Sequence, residues 1–217
     1  RLSKLQQEIS SELQGLAAVV RETEQIDEFN SKRDELIAEL AAVQSETSLH
    51  GKIALAEKLL GSSQVFIKLV ASQAGLSQDR EGAVRQMVEL ITVETPKVTA
   101  ALSEGRAIGS YSLAQGFLNS SASTAFDELL LELEKLHAEY GLNLQEALAG
   151  NVAAQNGLGS LAEASRQSLK DSGVLFEDQV IIADSLDTPW AQFYDQVSQE
   201  MARTYAFNDG LLALSQR

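Results

Sequence analysis

The chain has 217 residues, with 17 Lys and Arg against 31 Asp and Glu, a net charge of −14. An apolar content of 44% excludes a disordered composition, and the acidic balance argues against nucleic acid, whose phosphates demand a basic face. The absence of cysteine excludes disulfides, thiol nucleophiles and Cys-ligated metal centres. The two widely separated histidines, His50 and His137, fit a metal site poorly.

Only two prolines, with abundant Ala, Leu, Glu and Gln and no sustained period-two alternation, indicate an all-helical protein. In the first segment Leu2, Leu5, Ile9, Leu13, Leu16 and Val20 make one apolar stripe, which Phe29, Leu36, Leu40 and Val43 continue. No breaker stands between Leu16 and Ser48, so one long helix over about 2–48 is predicted, with a kink near 23–28. A second helix runs over about 52–76, with Gly75 as its stop and a turn at 77–80. The third spans about 80–116, and Pro96 inside its pattern predicts a kink. The 119–123 stretch is a cap region. Phe126, Leu129, Leu130, Leu133, Leu136, Tyr140 and Leu144 define the fourth helix, ending near Gly150. The fifth covers about 152–183. Asp187-Thr188-Pro189 opens the sixth, which runs to the end.

About six helices, several near 30 residues and each roughly 45–50 Å long, predict an elongated antiparallel bundle. An even helix count returns both termini to one end. No apolar run approaches about 18 residues, so no segment is a membrane span. The helical patterns at Arg1 and Arg217 read as cut ends of a longer chain.

Polar residues at seam positions are the informative exceptions, because burying them unpaired is costly. The sixth helix has the seam Trp190, Phe193, Val197, Met201, Thr204, Asn208, Leu211, with Arg203 and Tyr205 beside it. Arg203 and Thr204 suit an anionic ligand. The structural alternative has Thr204 bonded to its own backbone and Asn208 setting register. Arg33 stands in the seam of the first helix, and Arg21 in the polar patch before it. Each either meets a ligand or is paired or solvated. Gly105 and Gly109 share a face of the third helix and allow close packing. Arg106, on the line from Leu102 to Gly109 and Leu113, and Tyr111 just beyond are further ligand candidates, as is Asn208. Ser165 and Ser172 interrupt the fifth stripe, either lining a cavity or packing as small residues. No catalytic triad or phosphate loop is recognisable, and Glu134-Lys-Leu-His137 shows a di-metal spacing once only. No cofactor and no enzymatic activity are expected.

The stretch over 80–116, with Pro96 followed by Arg106-Ala-Ile-Gly109 and a small-residue run ending at Gly116, resembles the sensor region of bacterial transmembrane chemoreceptors (methyl-accepting chemotaxis proteins) and of some sensor histidine kinases. Thr188-Pro189-Trp190 through Phe193-Tyr194 is similar to the start of their last helix. The long first and last helices further resemble the helical bimodular type. That resemblance implies two stacked four-helix modules sharing long helices. One is membrane-proximal (about 1–25, 152–217 and neighbours) and one membrane-distal (about 30–150), with transmembrane segments outside both ends. It also implies a periplasmic location on an inner-membrane protein, a homodimer, and a small organic-acid ligand held by arginines of the first and last helices, here Arg21, Arg33 and Arg203 with Thr204. Ligand binding would displace the last helix. Other members dock a periplasmic binding protein, for which Phe117, Leu118 and the 119–123 turn are the candidate surface. A structural helical spacer is the remaining alternative.

Overall fold

The computed structural model describes residues 2–16, 26–73, 82–149 and 152–215. Regular structure within them is entirely helical: α1 (Leu2–Gly15), α2 (Ile26–Ser45), α3 (Leu49–Gln73), α4 (Gly82–Glu89), α5 (Thr95–Gln115), α6 (Ser120–Ala149), α7 (Val152–Phe176) and α8 (Trp190–Ser215). π-helical turns at Leu90–Glu94 and Glu177–Ile181 join α4 to α5 and extend α7. The all-α bundle expected from composition is therefore what the chain forms. No described helix is long and apolar enough to cross a membrane. The chain divides into two compact units, Arg1–Asp79 and Arg80–Arg217.

In the first unit α2 and α3 form an antiparallel hairpin, with the rings of Phe29 and Phe66 5.2 Å apart. Phe29, Leu36 and Phe66 are buried, and Leu13 and Leu16 from the end of α1 pack against them. This corrects the single helix over 2–48. At 1.5 Å per residue an unbroken helix would hold Leu13 roughly 35 Å from Leu36. The continuing apolar stripe signalled continuity, but α1 ends at Gly15 and covering the Phe29–Phe66 cluster brings it alongside α2. Ser48 caps α3, accepting the Gly51 N–H at 3.1 Å. The predicted stop at Gly75, the turn at 77–80, Gly150 and Arg21 lie outside the described residues.

In the second unit α5 packs on α6 and α8, α6 on α7, and α7 on α8, closing a four-helix ring, with α4 against α6. Neighbours are antiparallel, as short connections require. Arg106 of α5 meets Ser198 of α8, Tyr140 of α6 meets Ser165 of α7, and Ser165 meets Thr204 of α8. One continuous core runs from Met87 to Leu211.

The helix ends follow the local chemistry. Gly116, at φ 74°, stops α5 in the left-handed conformation that glycine tolerates. Asn119 Oδ1 caps α6 by accepting the Ala122 N–H at 2.8 Å. Pro189 accepts the Phe193 N–H at 3.1 Å, so α8 opens just after the predicted cap. Where a kink was expected at Pro96, a π-turn precedes it. Lacking an N–H, it cannot bond the carbonyl four residues back, and the Thr95 N–H instead reaches Leu90 O.

Gly105 and Gly109 do serve close packing, but of rings. A Cβ at Gly105 would overlap Phe176, and one at Gly109 would overlap Phe193. Phe126, Phe176 and Phe193 thus stack through the centre of the bundle, with centroids 5.6 and 6.0 Å apart.

Candidate functional site

The second unit contains a layer of hydroxyls inside its apolar core. Tyr140 Oη lies 2.9 Å from Ser165 Oγ, which lies 2.8 Å from Thr204 Oγ1. All three residues are fully buried. Burial pushes the Tyr140 phenol far above its ordinary value. The Ser165 hydrogen bond opposes that shift, and the charge of Glu94, at the end of the first π-turn, adds to it. Ser168 Oγ donates to Ser165 O at 2.7 Å, anchoring the same turn of α7. Ser172 Oγ, one turn on and fully buried, has no partner among the described residues. The layer joins α6, α7 and α8 at one level. Thr204, expected to touch a ligand or its own backbone, instead bonds across to α7. Asn208, one turn further along α8, has a buried Oδ1 without a partner among the described residues.

Arg203 sits beside this layer and is neutralised. Its Nη1 lies 2.6 Å from Asp171 Oδ2 and 3.1 Å from Glu200 Oε2. Burial pulls Asp171 upward, but hydrogen bonds from Gln167 and Arg203 outweigh it and hold the carboxyl below its ordinary value. Burial pushes Glu200 above its ordinary value; Arg203 opposes that shift and Asp171 adds to it. Two carboxylates around one guanidinium leave no positive excess for a further anion.

Arg33 lies in the first unit, half-buried, with Nε and Nη2 at 3.0 and 2.8 Å from Asp34 Oδ1. Among the described residues of that unit the buried charge is Glu39, which meets Lys58 Nζ at 3.1 Å. Sequence reasoning missed it, although it sits one turn from Leu36 on the same stripe.

Arg106 differs. It is partly exposed, its guanidinium stacks 4.4 Å from the centre of the Tyr194 ring, and Nη1 donates to Ser198 Oγ at 2.8 Å. No carboxylate pairs with it among the described residues. Ser198 in turn donates to Tyr194 O at 2.6 Å, so α8 builds the ledge on which Arg106 rests. Ser110, one turn along α5, has a shielded hydroxyl with no partner among the described residues. Tyr111 is exposed. The sequence-predicted set therefore separates. Arg106, Tyr111, Arg203, Thr204 and Asn208 lie in the second unit, Arg33 lies in the first, and the Arg106 and Arg203 environments are distinct. Tyr140 and Ser165 complete the buried layer, and Asp171 is the partly exposed partner of Arg203. Ser165 had a signal in the sequence, as an interruption of the fifth stripe; Tyr140 read as an apolar stripe residue and Asp171 had none.

Among the described residues no three His, Asp or Glu side chains converge as metal ligands. No family model, curated protein or solved structure matches the chain.

Proposed function

We propose that the chain is a sensory helical bundle: the extracytoplasmic, ligand-sensing part of a transmembrane chemoreceptor or sensor kinase, acting as a homodimer and performing no chemistry. Its ligand is a small carboxylate held at the α5–α8 seam, and its output is a displacement of α8 along its axis. The observation that supports this reading is Arg106. A guanidinium stacked on an aromatic ring keeps its planar fork free, and a single hydrogen bond to Ser198 leaves donors for a carboxylate. Ser198 and Tyr194 belong to α8, so a ligand that draws Arg106 toward itself acts on α8 directly. The Tyr140–Ser165–Thr204 layer holds α8 in a defined position, because sliding it by even about 1–2 Å stretches the buried hydroxyls off their partners. A ligand that favours one position shifts the population by its differential affinity. The expected displacement is on the order of 1–2 Å.

A thermal-shift screen of organic acids, amino acids, amines and inorganic anions tests this reading. Carboxylates are expected to raise the melting temperature, by about 2.7 kcal/mol of added stability at a hundredfold excess over Kd. No rise with any carboxylate would overturn it.

A second reading, docking of a partner protein, is favoured by Phe117. This large apolar residue sits in the α5–α6 turn and is 56% exposed.

A further inference from the structure

The antiparallel ring of the second unit gathers four helix ends at one pole: the C-termini of α5 and α7 and the N-termini of α6 and α8. Leu113, Leu118, Val180, Ile181 and Leu186 close the core there. Beyond that seal the pole presents large apolar side chains to solvent. Phe117 in the α5–α6 turn, Ile182 after the second π-turn and Trp190 at the start of α8 are 56%, 70% and 52% exposed. None of the three is needed to complete the core beneath it.

The charge of this pole is predominantly negative, with Arg106, over the Tyr194 ring, the cation that borders it. Residues 107–134 hold four Asp and Glu and no Lys, Arg or His. Residues 172–199 hold five, Glu177, Asp178, Asp184, Asp187 and Asp195, and again no basic side chain. Asp127, Glu128, Glu177, Asp178, Asp184, Asp187 and Asp195 are all exposed. Apolar anchors inside a negative field define the chemistry of what covers them. A second copy of the same pole would bring like charge against like. Nucleic acid and an anionic lipid surface are repelled for the same reason.

Resting on the docking reading above, we infer that this pole binds a basic polypeptide segment of a partner protein, one that sets apolar side chains on Phe117, Ile182 and Trp190 and Lys or Arg side chains against the surrounding carboxylates. The acidic field steers the encounter and rejects wrong partners, and the three apolar residues hold the complex.

Trp190 is the only tryptophan, so its emission reports directly on the pole. The probes are tryptophan-free amphipathic helical peptides with one leucine face and an opposite face of Lys, Glu or Gln. The Lys peptide is expected to blue-shift Trp190 emission and to bind at least about tenfold more tightly than the Gln peptide, with the advantage lost as salt rises from about 0.05 to about 0.5 M. The Glu peptide is expected not to bind. Phe117→Ser and Ile182→Ser, both on exposed side chains and checked for intact helicity by circular dichroism, should each weaken the Lys peptide about fivefold or more. Equal, salt-independent binding of the Lys and Gln peptides overturns the basic-partner assignment while leaving docking at this pole standing. No response of Trp190 to any peptide overturns the docking reading itself. A blue shift that appears with protein concentration alone, together with dimers in sedimentation, assigns the pole to a second copy and overturns the inference.

Discussion

The buried hydroxyl layer makes a prediction that sums of single-residue effects do not. Ser165 is its centre, within 2.9 Å of Tyr140 and 2.8 Å of Thr204, and water does not reach any of the three. Thr204→Val keeps the shape and removes one hydrogen bond, leaving Ser165 bonded to Tyr140. The expected cost is about 1 kcal/mol, and Tyr140→Phe should cost a similar amount. Ser165→Ala takes the partner from two buried hydroxyls at once. Each stranded group costs about 1–3 kcal/mol, and Thr204 recovers part by bonding its own helix carbonyl, so about 2–4 kcal/mol is expected. Removing all three hydroxyls together leaves nothing unsatisfied at this level. The triple substitution Tyr140→Phe, Ser165→Ala, Thr204→Val is therefore expected to cost about 1 kcal/mol, less than Ser165→Ala alone. It should also loosen the register of α8, visible as weaker hydrogen-exchange protection in its middle turns. Urea unfolding followed by circular dichroism measures the energies. The reasoning fails if Ser165→Ala costs no more than Thr204→Val, or if the triple variant loses the sum of the singles.

Gly105→Ala and Gly109→Ala each gain about 1 kcal/mol of helix propensity, yet must displace the ring of Phe176 or Phe193, so net destabilisation of about 1–2 kcal/mol is expected in thermal melts. Burial and the neighbouring Arg166 and Lys170 charges lower the pKa of His137 from its ordinary 6.5, and Arg166 Nη1 donates to its Nε2 at 3.1 Å. The folded state then holds fewer protons than the unfolded chain, so this contribution is complete above pH 6.5 and is lost as pH falls through that value toward the lowered folded pKa. His137→Gln should flatten that part of the stability–pH curve. Asp171, held below its ordinary 3.8, acts in the same direction at more acid pH: its stabilisation is complete above 3.8 and lost as pH falls further. Asp171→Asn should remove that part of the curve.

What could be read from the sequence followed the strength of local signals. The α6 stripe was legible almost throughout: Phe126, Leu129, Leu133, Leu136, Tyr140 and Leu144 are buried, and Leu130 is partly buried against the same core. The α8 seam was legible at Phe193, Val197, Met201, Thr204 and Leu211, all buried, and missed at Trp190 and Asn208. Trp190 emerges into solvent, and Phe207 occupies the core position assigned to Asn208, because a helix does not keep one face over many turns of a fixed spacing. Pro96 announced a disturbance, though not that it would widen the helix to a π-turn. The end of α1 had a signal in Gly15, a poor helix former, that the continuing apolar stripe obscured; the way α1 lies against α2 had none. It is set by contacts with Phe29 and Phe66. Arg203 and Arg33 looked equivalent to Arg106 as unpaired seam charges. Only the fold supplies Asp171, 32 residues away on another helix, as the partner of Arg203, and only the fold puts the Tyr194 ring under Arg106.

The most direct test of the sensory reading is titration calorimetry of the best carboxylate from the screen on three proteins: wild type, Arg106→Ala and Arg203→Ala. Binding to wild type should be abolished or weakened at least tenfold in Arg106→Ala, about 1.4 kcal/mol or more. It should persist in Arg203→Ala, whose guanidinium is already committed to Asp171 and Glu200. Undiminished binding to Arg106→Ala, or binding lost only with Arg203, would contradict the account.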